Sequence, residues 1–175
     1  MAIDTKAVIA EAAAKLLVEN KTKKLTVKDI VQECRMTRQA FYYHFDGIPD
    51  LLDWVLQRQA REMLSKMMEK EDAEEALRYF IEMTLLSRPY FEKGLATNYR
   101  TEMERILKNA LEYVFDHMMS ASGLYADVSR RQFDIIRKYH IGGILGVLHE
   151  WNEENTKNID EIVRLIIDLF RSGSQ

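Results

Sequence analysis

The sequence predicts an all-α chain of about nine helices, with a three-helix unit at the N-terminus and a larger helical region after it. Three observations carry that expectation. Met103, Ile106, Leu107, Ala110, Leu111, Val114, Phe115 and Met118 follow the 3,4 spacing of one helical face without a miss. Only two prolines and seven glycines occur in 175 residues, so few breakers interrupt such patterns. Apolar residues make up 47% and charged residues 30% of the chain, which suits globular helices with one buried and one wet face rather than a disordered chain.

The elements follow in order. A first helix is expected over residues 4–19, with Ile3, Ala7, Val8, Ala14, Leu16 and Leu17 on its buried face. Residues 20–25 form a basic loop. Thr26, with Asp29 three residues on, is a capping-box-like start to a second helix. Val27, Ile30, Val31 and Cys34 then recur at i, i+3, i+4 and i+7. Arg35 and Met36 make a turn, and Thr37 is a good N-cap for a third helix. Pro49 suits the first turn of a fourth, long helix over about residues 49–70. A fifth helix over residues 76–86 should break at Arg88–Pro89, with a short sixth around residues 90–96. The seventh carries the Met103–Met118 stripe and ends at residues 120–123, with Gly123 as its C′ residue. The last two are expected over about residues 128–152 and 159–171.

The stretch TVKDIVQECRMTRQAFYYHF, residues 26–45, is the most informative about function. At about 100° per residue, Arg38, Gln39, Tyr42 and Tyr43 fall on one side of the third helix. Ala40, Phe41, His44 and Phe45 fall on the other. Large aromatic residues seldom stand in a row on a solvent face without a partner. The DNA major groove admits one helix, whose N-terminal residues reach base edges. Arg38 can fork onto guanine and Gln39 can pair with adenine. Thr37 and the first-turn amides can meet a phosphate, and the two tyrosine hydroxyls can donate to phosphate oxygens.

Across residues 4–52, and above all in TVKDIVQEC and TRQAFYYHF, the chain resembles the helix-turn-helix of the tetracycline-repressor family of bacterial regulators. The resemblance implies an N-terminal DNA-binding domain over residues 1–47 and an effector-binding and dimerisation domain over 48–175. It places Thr26 at a phosphate-contacting helix start, and Thr37, Arg38, Gln39, Tyr42, Tyr43 and His44 at recognition-helix positions. Two positions depart from the family's usual string. Arg35 replaces the turn glycine and would store strain if φ there is positive. Gly47-Ile48-Pro49 stands where a basic residue often precedes the fourth helix.

The charge divides along the same line. Residues 1–46 hold eight basic and six acidic residues, a balance of +2, and residues 47–175 hold 17 and 22, a balance of −5. Lys21, Lys23 and Lys24 cluster before the second helix. So modest a positive balance implies that affinity comes from two copies acting together.

Two features suggest where those copies meet. Gly142, Gly143 and Gly146 lie together in the eighth helix, where glycine lowers helix propensity but allows close approach. The ninth helix is apolar on most sides, with Ile162, Ile166 and Phe170 among its large residues. Pairing both helices with their copies would bury this surface as a four-helix bundle. The GGILGVLHEW segment is also similar to the C-terminal domain type of Firmicutes family members, some of which resemble regulators of dihydroxyacetone-kinase operons. The fourth to eighth helices are rich in methionine and aromatic residues, a lining that suits apolar ligands although such residues are more often core. The resemblance implies a small-molecule effector or a protein co-regulator, and the candidate ligand contacts are Tyr79, Met83, Tyr99, Met103, Phe115 and Tyr139.

Other chemistry finds little support. The sequence has no P-loop, GxSxG, HExxH or dinucleotide glycine fingerprint, so neither catalytic residues nor a cofactor is expected. His117, His140 and His149 lack partners at good metal spacing. Cys34 is the single cysteine, so no disulfide forms within the chain, which fits a reducing cytoplasm. No apolar run is long enough to span a membrane, and the N-terminus lacks a signal-peptide pattern. The reading is a homodimeric regulator, a repressor acting on a palindromic site in double-stranded DNA. The rival readings are an interaction module that has lost DNA binding and an all-α enzyme.

Overall fold

The computed structural model describes residues 4–19 and 24–172, so the expectations for Ile3, Lys21 and Lys23 lie outside the described residues. Within the described residues the chain forms nine α-helices and no strand. They are α1 (Thr5–Glu19), α2 (Val27–Glu33), α3 (Arg38–His44), α4 (Ile48–Met68), α5 (Ala73–Leu95), α6 (Arg100–Ser122), α7 (Arg130–His149), α8 (Glu153–Lys157) and α9 (Ile159–Ser172).

The helices number nine by a different route from the one expected. Pro89 does not end α5 but lies inside it, so the expected fifth and short sixth helices are one. A proline in a helix interior removes one backbone bond and costs about 3 kcal/mol. Contacts beyond the proline hold the helix on course. Arg88 Nε donates to Glu92 Oε1 at 3.1 Å, the Lys93 ammonium donates to the Val18 carbonyl, and Gly94 packs against Met103 so closely that a Cβ there would meet Met103 Cε at 2.8 Å. The count is made up by α8, a short helix that was not expected, capped reciprocally by Asn152 and Asn155.

The structure divides into two compact units, residues 1–59 with 87–109 and residues 60–86 with 110–175. The sequence reading instead drew one boundary, between residues 47 and 48. In the first unit, Ile9, Ala12 and Ala13 of α1 are buried, whereas the expected Ala7, Val8, Ala14, Leu16 and Leu17 are not fully buried. Ile30 and Val31 of α2, Phe41 of α3, Phe45, and Ile48, Leu51, Leu52 and Leu56 of α4 are also buried. Phe45 and Trp54 meet edge to face at 5.9 Å, with the Lys6 ammonium 5.0 Å from the Phe45 ring centre.

In the second unit the core joins Leu77, Phe80 and Ile81 of α5, Val114, Phe115 and Met119 of α6, Leu148 of α7 and Val163, Ile166, Ile167 and Phe170 of α9. Arg137 ties α7 to α6 through Asp116 at 2.8 Å. The α6–α7 connection holds two departures from right-handed backbone, at Gly123 and Tyr125. Gly123 directly follows α6 at φ 71, one position earlier than the C′ place expected of it and with the left-handed backbone that glycine adopts freely. Tyr125 then adopts φ 64, an uncommon conformation for so bulky a residue. Its hydroxyl explains the placement. It donates to the Phe170 carbonyl at 2.7 Å, near the end of α9 where carbonyls lack helical partners, and it meets His140 Nε2 at 2.9 Å. A carbonyl only accepts, so His140 Nε2–H must donate to the tyrosine oxygen. Burial raises the Tyr125 phenol and lowers the His140 imidazole from their ordinary values, which keeps both in these neutral roles.

Candidate nucleic-acid interface

The interface is built by two caps and one turn. The Thr26 hydroxyl accepts from the Asp29 amide at 3.2 Å and donates to Asp29 Oδ2 at 2.5 Å, which fixes the start of α2. Helix α2 ends in a Schellman turn: Met36 N–H donates to the Val31 carbonyl at 2.8 Å and Arg35 N–H to the Gln32 carbonyl at 3.3 Å. Thr37 then accepts from the Ala40 amide at 3.1 Å and starts α3. Burial pushes the Cys34 thiol up from its ordinary value, and its Sγ donates to the Ile30 carbonyl at 3.0 Å. The single cysteine therefore stays a protonated packing group.

Helix α3 has two sharply different sides. Phe41 is fully buried and Phe45, its C-cap, nearly so. Arg38 and Gln39 are exposed, Tyr42 is 55% exposed and Tyr43 is 85% exposed. Tyr42 meets Phe41 edge to face at 5.4 Å. His44 is only half exposed and meets the Tyr43 ring edge to face at 5.0 Å. Of the seven expected contact residues, Thr37, Arg38, Gln39, Tyr42 and Tyr43 are exposed, while Thr26 and His44 are half-buried. The Thr26 hydroxyl proton is already engaged by Asp29. Lys24, just before α2, and Lys28, in its first turn, are exposed cations of the same unit.

The second unit carries a partly open cavity of about 130 Å³. Its walls are apolar, with Leu77 and Phe80 from α5, Val114 and Phe115 from α6, and Ile141 and Ile144 from α7 among them; Ser122 and Arg171 are the polar residues on its lining. Of the six expected ligand contacts, only Phe115 lines it. Tyr79 and Met83 are half-buried elsewhere on α5, and Tyr139 is 72% exposed. Tyr99 and Met103 belong to the first unit, where Met103 is buried. Met67, Phe80, Met118, Met119 and Phe170 line the cavity as well, so the methionine and aromatic richness of these helices does reach the lining, though at other positions than the six expected, Phe115 excepted.

The expected self-association residues also separate. Gly142, Gly143 and Gly146 are exposed, and a Cβ at any of them would meet nothing within 4 Å. Ile166 and Phe170 are buried in the core of their own unit, and Ile162 is half-buried against it. The apolar side chains that α9 leaves in solvent are Leu165, 56% exposed, and Leu169, 59% exposed.

Residues 9–55 match the profile of bacterial regulatory proteins of the tetR family. Over 154 residues the chain is 23% identical to the HTH-type dhaKLM operon transcriptional activator DhaS of Lactococcus lactis, covering 85% of this chain and 79% of that protein. The tetR-family likeness thus lies in the segment that holds α2, α3 and their turn. Solved structures carry the same fold. A dihydroxyacetone kinase operon activator DhaS superposes with a TM-score of 0.65 at 18% identity, over 99% of this chain and 97% of the other. The transcriptional regulator FadR from Bacillus subtilis, in complex with stearoyl-CoA, gives 0.58 at 18% identity, over 97% and 99%. The relatives and neighbours named here are described as regulators of transcription. Among the described residues no helix is long and apolar enough to cross a membrane, and no group of three or more His, Cys, Asp or Glu is placed to hold a metal.

Proposed function

We propose that this regulator binds a palindromic operator as a homodimer and represses transcription, under the control of a small apolar effector. One observation carries the DNA assignment: Arg38, Gln39, Tyr42 and Tyr43 are exposed on the side of α3 opposite its buried Phe41 anchor. Arg38 and Gln39 read bases, and the tyrosine hydroxyls with Thr37 hold phosphates. The three exposed glycines support self-association. Each weakens α7 by up to about 1 kcal/mol, and no contact within the chain requires the missing Cβ. A second copy seated on α7 and on Leu165 and Leu169 of α9 supplies that reason. Two-fold symmetry then sets half-site centres one helical turn apart, about 34–36 Å, or a multiple of it. The cavity supports effector control, and its apolar walls favour a hydrocarbon ligand over a polyhydroxylated one.

Operator selection from a random duplex pool, followed by anisotropy titrations, tests the reading. Arg38→Ala and Gln39→Ala should each cost about 1–3 kcal/mol and relax preference at one base pair, while Tyr42→Phe weakens all sequences alike. Binding by all three variants at wild-type strength overturns the groove assignment. Activation is the second reading, favoured by the activator name of the L. lactis relative. A promoter–reporter fusion with and without the regulator gives the sign. No retained duplex at low salt would favour an interaction module instead.

A further inference from the structure

Arg35 occupies the C′ position of the α2 turn at φ 53, in the left-handed region that glycine enters without penalty. The turn's two backbone bonds, from Met36 to Val31 and from Arg35 to Gln32, hold it there. A side chain at this place costs conformational free energy, and the fold gains no visible contact from it. Arg35 is exposed, and among the described residues its guanidinium makes no hydrogen bond, ion pair or ring contact. Other cations of the head are differently employed. Lys6 lies over the Phe45 ring and Lys15 pairs with Glu33, whereas Lys24, Lys28, Arg35 and Arg38 are left facing solvent. A strained position occupied by an unspent cation marks function better than packing.

Its place in the chain gives the partner. Arg35 precedes the N-cap of α3 by two residues, and both flanks are fixed, by the Schellman turn on one side and by the Thr37 cap on the other. When the N-terminal end of a recognition helix enters the major groove, the strand bordering that groove passes beside the turn. We propose that Arg35 grips a backbone phosphate of the operator and fixes how the N-terminal end of α3 enters the groove. This rests on the DNA-binding reading above. The strain is then retained because a guanidinium at this point of the turn, unlike glycine, supplies a charge-assisted contact.

The test uses the full chain and a selected operator duplex, with anisotropy read at salt concentrations from about 50 to 250 mM. Arg35→Gly should raise the unfolding temperature, because the left-handed site becomes unstrained, and should nevertheless bind less well. Losing one phosphate contact should flatten the slope of log K against log salt by about 0.9 and weaken binding about eightfold at roughly 0.1 M salt. Base preference should stay unchanged. Arg35→Lys should restore the slope. Wild-type slope and affinity in Arg35→Gly, with Arg38→Ala weakened, overturns the Arg35 contact and leaves the DNA reading standing. Failure of the wild type to bind any selected duplex removes both.

Discussion

Replacing Tyr125 by phenylalanine removes one oxygen that serves two elements at once. The Phe170 carbonyl loses its donor at 2.7 Å, and His140 Nε2–H loses its acceptor at 2.9 Å. The ring remains, so burial of apolar area scarcely changes. A hydrogen bond contributes about 0.5–1.5 kcal/mol net, and leaving a buried partner unsatisfied costs about 1–3 kcal/mol. The expected loss is therefore about 1–3 kcal/mol. For a chain of this size each kcal/mol moves the unfolding midpoint by roughly 2–4 °C, so Tm should fall by roughly 2–12 °C. Urea unfolding followed by circular dichroism measures it, with Tyr139→Phe as the exposed control that should change nothing. The same triad carries a pH dependence. Burial lowers the His140 pKa in the folded state, so the folded chain binds fewer protons than the unfolded one as pH falls. The His140 contribution is fully present above the unfolded pKa of about 6.5 and is lost as pH drops through the lower folded value. His140→Phe should flatten that part of the stability profile. A Tyr125→Phe variant within about 0.5 kcal/mol of wild type would refute the two-partner account of this hydroxyl, since that is the scatter of an ordinary surface substitution.

Further outcomes follow from the same geometry. Leu165→Glu, on the exposed side of α9, should yield monomer by light scattering without loss of helicity, whereas Ile166→Glu, inside the core, should unfold the chain; a Leu165→Glu protein as oligomeric as wild type removes α9 from the interface. Gly143→Leu has open space in its own chain, so it should stabilise the monomer by up to about 1 kcal/mol and disturb only self-association. The cavity should admit benzene or a short alkane, since its walls are apolar and its volume is close to that of a cavity known to take such ligands. A ligand at 100 times its Kd should add about 2.7 kcal/mol of stability, and glycerol at the same concentration should add none. Val114→Phe, which fills the void, should abolish the hydrocarbon shift while keeping the fold.

The local features were legible in the residues because caps, turns and faces depend on neighbours within a few positions. Thr26 and Thr37 do what their spacing implied, and Phe41 and Phe45 are buried while Tyr42 and Tyr43 are exposed. Even the cost of Arg35 could be read, since a Schellman turn demands positive φ at that position whatever lies around it. What depends on distant partners was not legible. Pro89 reads as a stop, yet the contacts of Arg88, Lys93 and Gly94 carry α5 through it. Helix α9 is apolar on most sides, so periodicity could not say that Ile166 and Phe170 face inward while Leu165 and Leu169 face out. The cavity is a shortfall of packing among core stripes, and no single stripe encodes a shortfall. Sequence determines which surfaces a helix offers; only the tertiary structure decides which of them another helix covers, because burial is settled by partners far away along the chain.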